Sequence, residues 1–168
     1  MDKMKKVFMY FFLLALAVLI ICFLIPTQMG RIEVIKILIE GVCMVMIGIF
    51  IIAMGVPLII QKTKVGYSVL IVVFGIMSVV SGPFNCLNAI RGLQAGPKVI
   101  ENGSYKLDRR SPYRGYISYY MIMTPDNGNG SVKVKIDKNT YQYLNTNTPN
   151  LTISYYPYVD IANEIVYK

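Results

Sequence analysis

Ser131 and Lys133 stand two residues apart in a strand-forming run, so that a lysine amine on the same face could serve as base to a serine nucleophile. Gly66-Tyr67-Ser68 has the small-residue look of a nucleophile turn inside an apolar segment. Neither arrangement extends to a working set. The sequence contains no histidine, the side chain used most often for proton transfer at neutral pH, and no base lies in the apolar segment that carries Ser68. Ser-x-Lys is also common by chance.

Acid-pair chemistry within a membrane needs two carboxylates, and the apolar segments offer only Glu40. Cys22, Cys43 and Cys86 all lie in apolar segments; they form no CxxC pair and no disulfide framework. Zinc sites built with histidine are excluded, and no phosphate loop or dinucleotide fingerprint is present. The expectation is a protein without cofactor, metal or catalytic residues.

Two kinds of polar site remain. Glu40, Asn85 and Asn88 are the polar residues inside or at the ends of apolar segments, where such groups are functional candidates by default. Glu40 also has a plain role, since Lys36 precedes it by four residues near a helix end. The second candidate is a basic and aromatic group in the C-terminal half: Lys106, Arg109, Arg110 and Arg114 with Tyr113 and Tyr116. Cations beside aromatic rings could take an anionic or sugar-bearing ligand. Tyrosine is equally a favoured residue of half-buried strand faces, and 11 of the 13 tyrosines lie in this half.

The elements that must position these residues fall into two classes. The chain is 168 residues long and 55% hydrophobic, too apolar for a globule surrounded by water. The apolar residues are concentrated. Val7 to Ile25 contains no charge, and its 19 residues would form a helix about 28 Å long, matching the hydrocarbon thickness. Pro26 stops it, and no small-x-small cleavage site follows, which favours a retained span over a signal peptide. Further spans are expected over 37–60 and 65–90, joined by Gln61-Lys-Thr-Lys64 into an antiparallel hairpin.

Small residues recur every seven positions in both members of that hairpin: Gly41, Gly48 and Gly55 in one, Ser68, Gly75, Gly82 and Ala89 in the other. Such stripes let helices approach closely where lipid removes the hydrophobic drive, and a seven-residue period keeps a left-handed seam aligned. They are expected to face each other within the hairpin, with oligomerisation as the alternative. Pro57 and Pro83 free carbonyls near Ala53 and Val79, and Ser81 and Asn85 lie close enough in sequence to help satisfy the second.

Lys3, Lys5, Lys6, Lys62 and Lys64 fall on one side of this arrangement, so the positive-inside tendency places the N-terminus in the cytoplasm and the C-terminal half outside. The formal net charge of +8 is spread in small groups along the chain. Flanking cations that orient helices and meet lipid headgroups account for it, and a nucleic-acid partner is not expected. Abundant Ile, Lys, Asn and Tyr suit an AT-rich bacterial genome.

From Gly96-Pro97 the period changes to two. Val132, Val134 and Ile136 alternate with Lys133 and Lys135, and Leu151, Ile153 and Tyr155 alternate with polar residues, as in strands with one buried face. Tyr113 to Thr124 reads as a longer strand bent at Gly115, followed by the hairpin connection Pro125-Asp-Asn-Gly-Asn-Gly130. Short strands surround Val99 and Tyr105, Lys138 to Leu144 forms a helical turn or two, and Ala162 to Tyr167 closes the sheet. Asn102, Asn129 and Asn150 begin N-x-Ser/Thr sequons, which matter only in a eukaryotic secretory pathway.

The expected organisation is a three-helix transmembrane domain over 1–94 and an extracytoplasmic five-stranded OB-like or SH3-like β domain over 95–168. Membrane helices followed by a small β barrel resemble the layout of NfeD-type membrane proteins, a likeness of architecture without shared motif residues, which transfers no function. The expected role is a non-catalytic, multi-pass plasma-membrane protein. Its surroundings are membrane lipid, and its β domain engages a protein partner or envelope component, or the chain forms a homo-oligomer. Immunity against a membrane-active toxin and an oligomeric channel or transporter subunit are the rival roles.

Overall fold

The computed structural model describes residues 2–25, 29–61, 65–101, 103–113, 116–126, 130–147 and 151–167. The side chains of 2–5, 8, 111–113, 116 and 167 lie outside the description, as do Lys62, Lys64 and the three sequon asparagines. The described residues form four helices and six strands. They are α1 (Asp2–Leu24), α2 (Arg31–Ile60), α3 (Val65–Ala95), β1 (Lys98–Ile100), β2 (Gly103–Tyr113), β3 (Tyr116–Pro125), β4 (Val132–Ile136), α4 (Lys138–Thr146), β5 (Leu151–Tyr156) and β6 (Ile161–Tyr167). They divide into two compact units, one of residues 1–25 and 36–87, the other of 26–35 and 88–168.

In the first unit, α2 and α3 are long and apolar enough to cross a membrane, and the shorter apolar stretch Met9–Leu24 makes up most of α1. Only 22% of the most apolar window of α2 and 17% of that of α3 is buried, so most of their apolar side chains face outward. The two helices meet along the small residues. A methyl group added at Gly82 would lie 2.6 Å from the Gly41 carbonyl oxygen, and one at Gly48 would lie 2.7 Å from that of Gly75. Gly55 meets Val72 and Ile71 in the same way, and Ser68 is buried beside it. Ala89, also buried, falls in the second unit. Phe12 of α1 stacks on Phe50 of α2 with ring centroids 4.0 Å apart.

Pro57 and Pro83 sit inside their helices. Ser81 does not turn to the carbonyl of Val79: its hydroxyl donates to the Met77 oxygen at 2.8 Å, one turn back on its own helix, the geometry a helical serine reaches most easily.

The second unit is built on a mixed sheet with the strand order β1-β5-β6-β4-β3-β2. Every pairing is antiparallel except that of β4 with β6. Six strands replace the expected five. The strand expected over Tyr113 to Thr124 is instead the end of β2 and the whole of β3, paired as a hairpin with Tyr113 opposite Tyr116. Pro112 hid the full length of β2, expected only as a short strand around Tyr105, because proline cannot donate to a ladder. It is tolerated here because β2 is the last strand in the order and the register slips between Arg110 and Tyr113.

β1 and β2 lie at opposite ends of the strand order, yet only Glu101 and Asn102 separate them in sequence. So short a link spans about 10 Å, so the two ends of the order are drawn together and the sheet is rolled. Met121, Met123, Val134, Ile136, Leu151, Ile153 and Ala162 fill its interior with Leu144 from α4. Asp137 caps α4: its carboxylate accepts from the Thr140 backbone N–H at 2.9 Å and the Thr140 hydroxyl at 2.8 Å.

The segment before α2 belongs to this unit. Gly30, in the left-handed region at φ 84°, donates its N–H to the Ala162 oxygen at 2.7 Å, and Met29 packs against the core. Glu33 and Val34, in the first turn of α2, are buried. At the end of α3, Gly92 abuts the turn after β5, where an added methyl would lie 3.0 Å from the Pro157 oxygen. That turn holds Tyr158 and Asp160 at positive φ, 74° and 52°.

Candidate functional site: the outer face of β2, β3 and β4

Strand register sorts the side chains of this region onto two faces. Opposite one another on the inner face lie Tyr105 and Met123, Leu107 and Met121, then Val132 and Val134 on the third strand. The alternate residues face outward: Lys106, Ile122 and Lys133 in one row, Asp108, Tyr120 and Lys135 in the next, Arg110 and Ser118 beyond.

Asp108 organises the outer face. Lys133 Nζ donates to its Oδ2 at 2.6 Å and Arg110 Nε to the same oxygen at 3.0 Å. Hydrogen bonds from Lys133 and then Arg110 hold the Asp108 carboxyl below the usual carboxylate range. The Lys133 ammonium also lies 4.3 Å above the Tyr120 ring. Lys135 points the other way along the row, to Glu33 Oε1 at 3.4 Å. Lys106 and Arg110 are exposed. With Lys135 matched by Glu33, this face carries three cations, Lys106, Arg110 and Lys133, and one carboxylate, to which the last two are bonded.

Of the residues singled out in the sequence, the structure places Lys106 and Arg110 on this face. Arg109 has the opposite parity, across from Tyr119, and is exposed. Arg114 is outside the described residues, and Tyr113 and Tyr116 are described only as paired backbone. Asp108, Tyr120, Lys133 and Lys135 complete the cluster. Sequence reading left them out of the basic group, although period-two spacing within β2 and β4 would have put Lys106, Asp108 and Arg110 on one side and Lys133 with Lys135.

Four other tyrosines have structural roles. Tyr105 donates its hydroxyl to the Asn147 oxygen at 3.1 Å, Tyr119 meets Tyr141 with ring centroids 4.8 Å apart, and Tyr155 packs against the core. Burial, with the nearby Asp160 charge, pushes the Tyr155 hydroxyl up. Burial also pushes the Asp160 carboxyl up.

Glu40 is half-buried one residue before Gly41, and Asn85 and Asn88 are half-buried in α3, the last in the second unit. Cys86 Sγ lies 3.6 Å from the Leu38 oxygen. Ser131 is exposed just before β4, and the Lys133 amine is directed to Asp108. Among the described residues no group of three or more Cys, Asp or Glu could hold a metal ion. No protein-family model, curated protein or solved structure matches the chain.

Proposed function

We propose that this chain is a multi-pass plasma-membrane protein that works by binding rather than catalysis. In this reading α1, α2 and α3 cross the bilayer with the N-terminus in the cytoplasm. The β-rich unit lies outside, where the outer face of β2, β3 and β4 holds a protein partner or envelope component.

The membrane part is supported by the outward-facing apolar surface. Leu14, Phe74, Val80 and Phe84 each keep 61% to 67% of their surface exposed, an arrangement costly in water and favourable in lipid. The lysines at the N-terminus and between α2 and α3 support the sidedness.

The connectivity supports an OB-like barrel over the SH3-like alternative. With β1 and β2 taken as one bent strand, the order is three strands, a helix and two strands. The first strand meets the fourth through β1 and β5, and the third lies parallel to the fifth through β4 and β6. Barrels of this kind bind ligands on the face of their second and third strands, here β3 and β4.

The observation that carries the reading is the cationic outer face itself, with Lys106, Arg110 and Lys133 around Ile122 and Tyr120. The test is crosslinking in intact membranes followed by capture of the full chain. A specific partner should be recovered with the native protein and lost from a Lys106→Glu, Arg110→Glu variant that remains folded. A partner retained by that variant, or captured equally by a chain ending before Arg91, would overturn the reading.

A further inference from the structure

Resting on the proposal that a partner docks on the outer face of β2, β3 and β4, we infer that this face takes an extended acidic segment of a partner protein. Lys106 and Lys133 flank Ile122 in one row, two strands or about 10 Å apart. Arg110 lies four residues along β2 from Lys106, about 14 Å. An extended peptide places alternate side chains about 7 Å apart on one side, so acidic residues at i and i+4 match the spacing of Lys106 and Arg110. Ile122 between the cations offers an apolar seat to a side chain from the same segment.

The face carries three cations against Asp108, since Lys135 is engaged with Glu33. It therefore favours a negative partner. Sugars and nucleobases are disfavoured by the state of the ring: Lys133 already covers Tyr120 at 4.3 Å, so that face of the ring is not open for stacking. Charge and an aliphatic contact remain, which suit a peptide of acids interspersed with apolar residues.

The experiment uses the full chain in nanodiscs of neutral lipid and a fluorescent glutamate-rich peptide of about 15 residues. Binding should weaken steeply as salt rises. Lys106→Glu and Arg110→Glu should each weaken it about tenfold or more. Lys138→Glu, the same charge change at an exposed position of α4, should change it less than about twofold. Thermal melts check that all three variants fold. Equal losses in the face variants and in Lys138→Glu would reduce the interaction to net charge and overturn the inference. So would tighter binding of a thymidine oligonucleotide or of anionic vesicles than of the peptide. If a natural partner is captured and lost on face reversal while the peptide fails to bind, the acidic-segment assignment falls and the binding function stands.

Discussion

Glu33, in the first turn of α2, places its buried carboxylate 3.4 Å from the ammonium of Lys135, which is 102 residues away on β4. The pair fastens the start of a long apolar helix to the sheet of the same unit, and the Gly30 hydrogen bond to Ala162 reinforces it. The side chain of Glu33 is 3% exposed and that of Lys135 22%, so removing the lysine leaves a carboxylate with little access to water. Lys135→Met should destabilise the β-rich unit by about 1.5–3 kcal/mol, the range for losing a hydrogen bond to a charged group. The double variant Glu33→Gln, Lys135→Met should recover much of that loss. Thermal melts of the four proteins in detergent, read as a double-mutant cycle, check both statements.

The seam between α2 and α3 depends on backbone contact. A methyl group at Gly75 would lie 2.9 Å from the Gly48 oxygen and 2.7 Å from Ile52, so Gly75→Leu must push the helices apart. Overpacking of this kind costs about 1–3 kcal/mol. Gly66→Leu is the control, because an added Cβ there meets nothing within 4 Å. Melting of the detergent-solubilised protein should separate the two variants, and equal stabilities would contradict the seam.

Much of this architecture is legible in the residues themselves. The run from Val132 to Ile136 alternates so cleanly that its inward and outward faces follow from spacing, and the seven-residue recurrence of glycine marks the surfaces along which α2 and α3 meet. Contacts between distant residues are not written locally. Nothing in Met29 to Ile35 signals that it docks on a sheet more than 100 residues later, because a glycine, a methionine and a glutamate are ordinary loop and helix-start residues. The site was partly visible. Arg109 and Arg110 are neighbours in sequence, and neighbours in a strand point to opposite faces, so one of the two had to leave the cluster. Asp108 as its centre required the pairing of β2, β3 and β4, which only the fold supplies.

The Asp108 cluster should respond to acid. Hydrogen bonds from Lys133 and Arg110 lower the folded-state pKa of Asp108, so its contribution is present above the ordinary carboxylate pKa and is lost as pH falls through the lowered folded value. Because the group is solvent-accessible, the stability effect of Asp108→Asn at neutral pH should be small. The clearer readout is the Lys133 ammonium signal in an NMR titration. It should shift on acidification in the native protein and stay flat in Asp108→Asn. A flat native titration would rule out the pairing.

Asp160 has the opposite sign. Burial raises its folded-state pKa, so the protonated form is favoured in the fold and stability falls as pH rises through that value. Its backbone stands at φ 52° and accepts a hydrogen bond from the Lys135 N–H at 2.7 Å, so a replacement must tolerate the left-handed region and keep the turn. Asparagine does both and carries no charge. Asp160→Asn should raise the melting temperature at neutral pH by an amount corresponding to about half a kcal/mol or less, because the carboxyl is only partly withdrawn from water on an otherwise exposed residue. The gain should shrink as the pH is lowered and the native aspartate becomes protonated. Asp160→Ala removes the same charge but strains the turn, so it should not reproduce the gain. Melting curves of the three proteins across acidic and neutral pH test this, and a gain for Asp160→Asn that is the same at every pH would show that titration of Asp160 is not its cause.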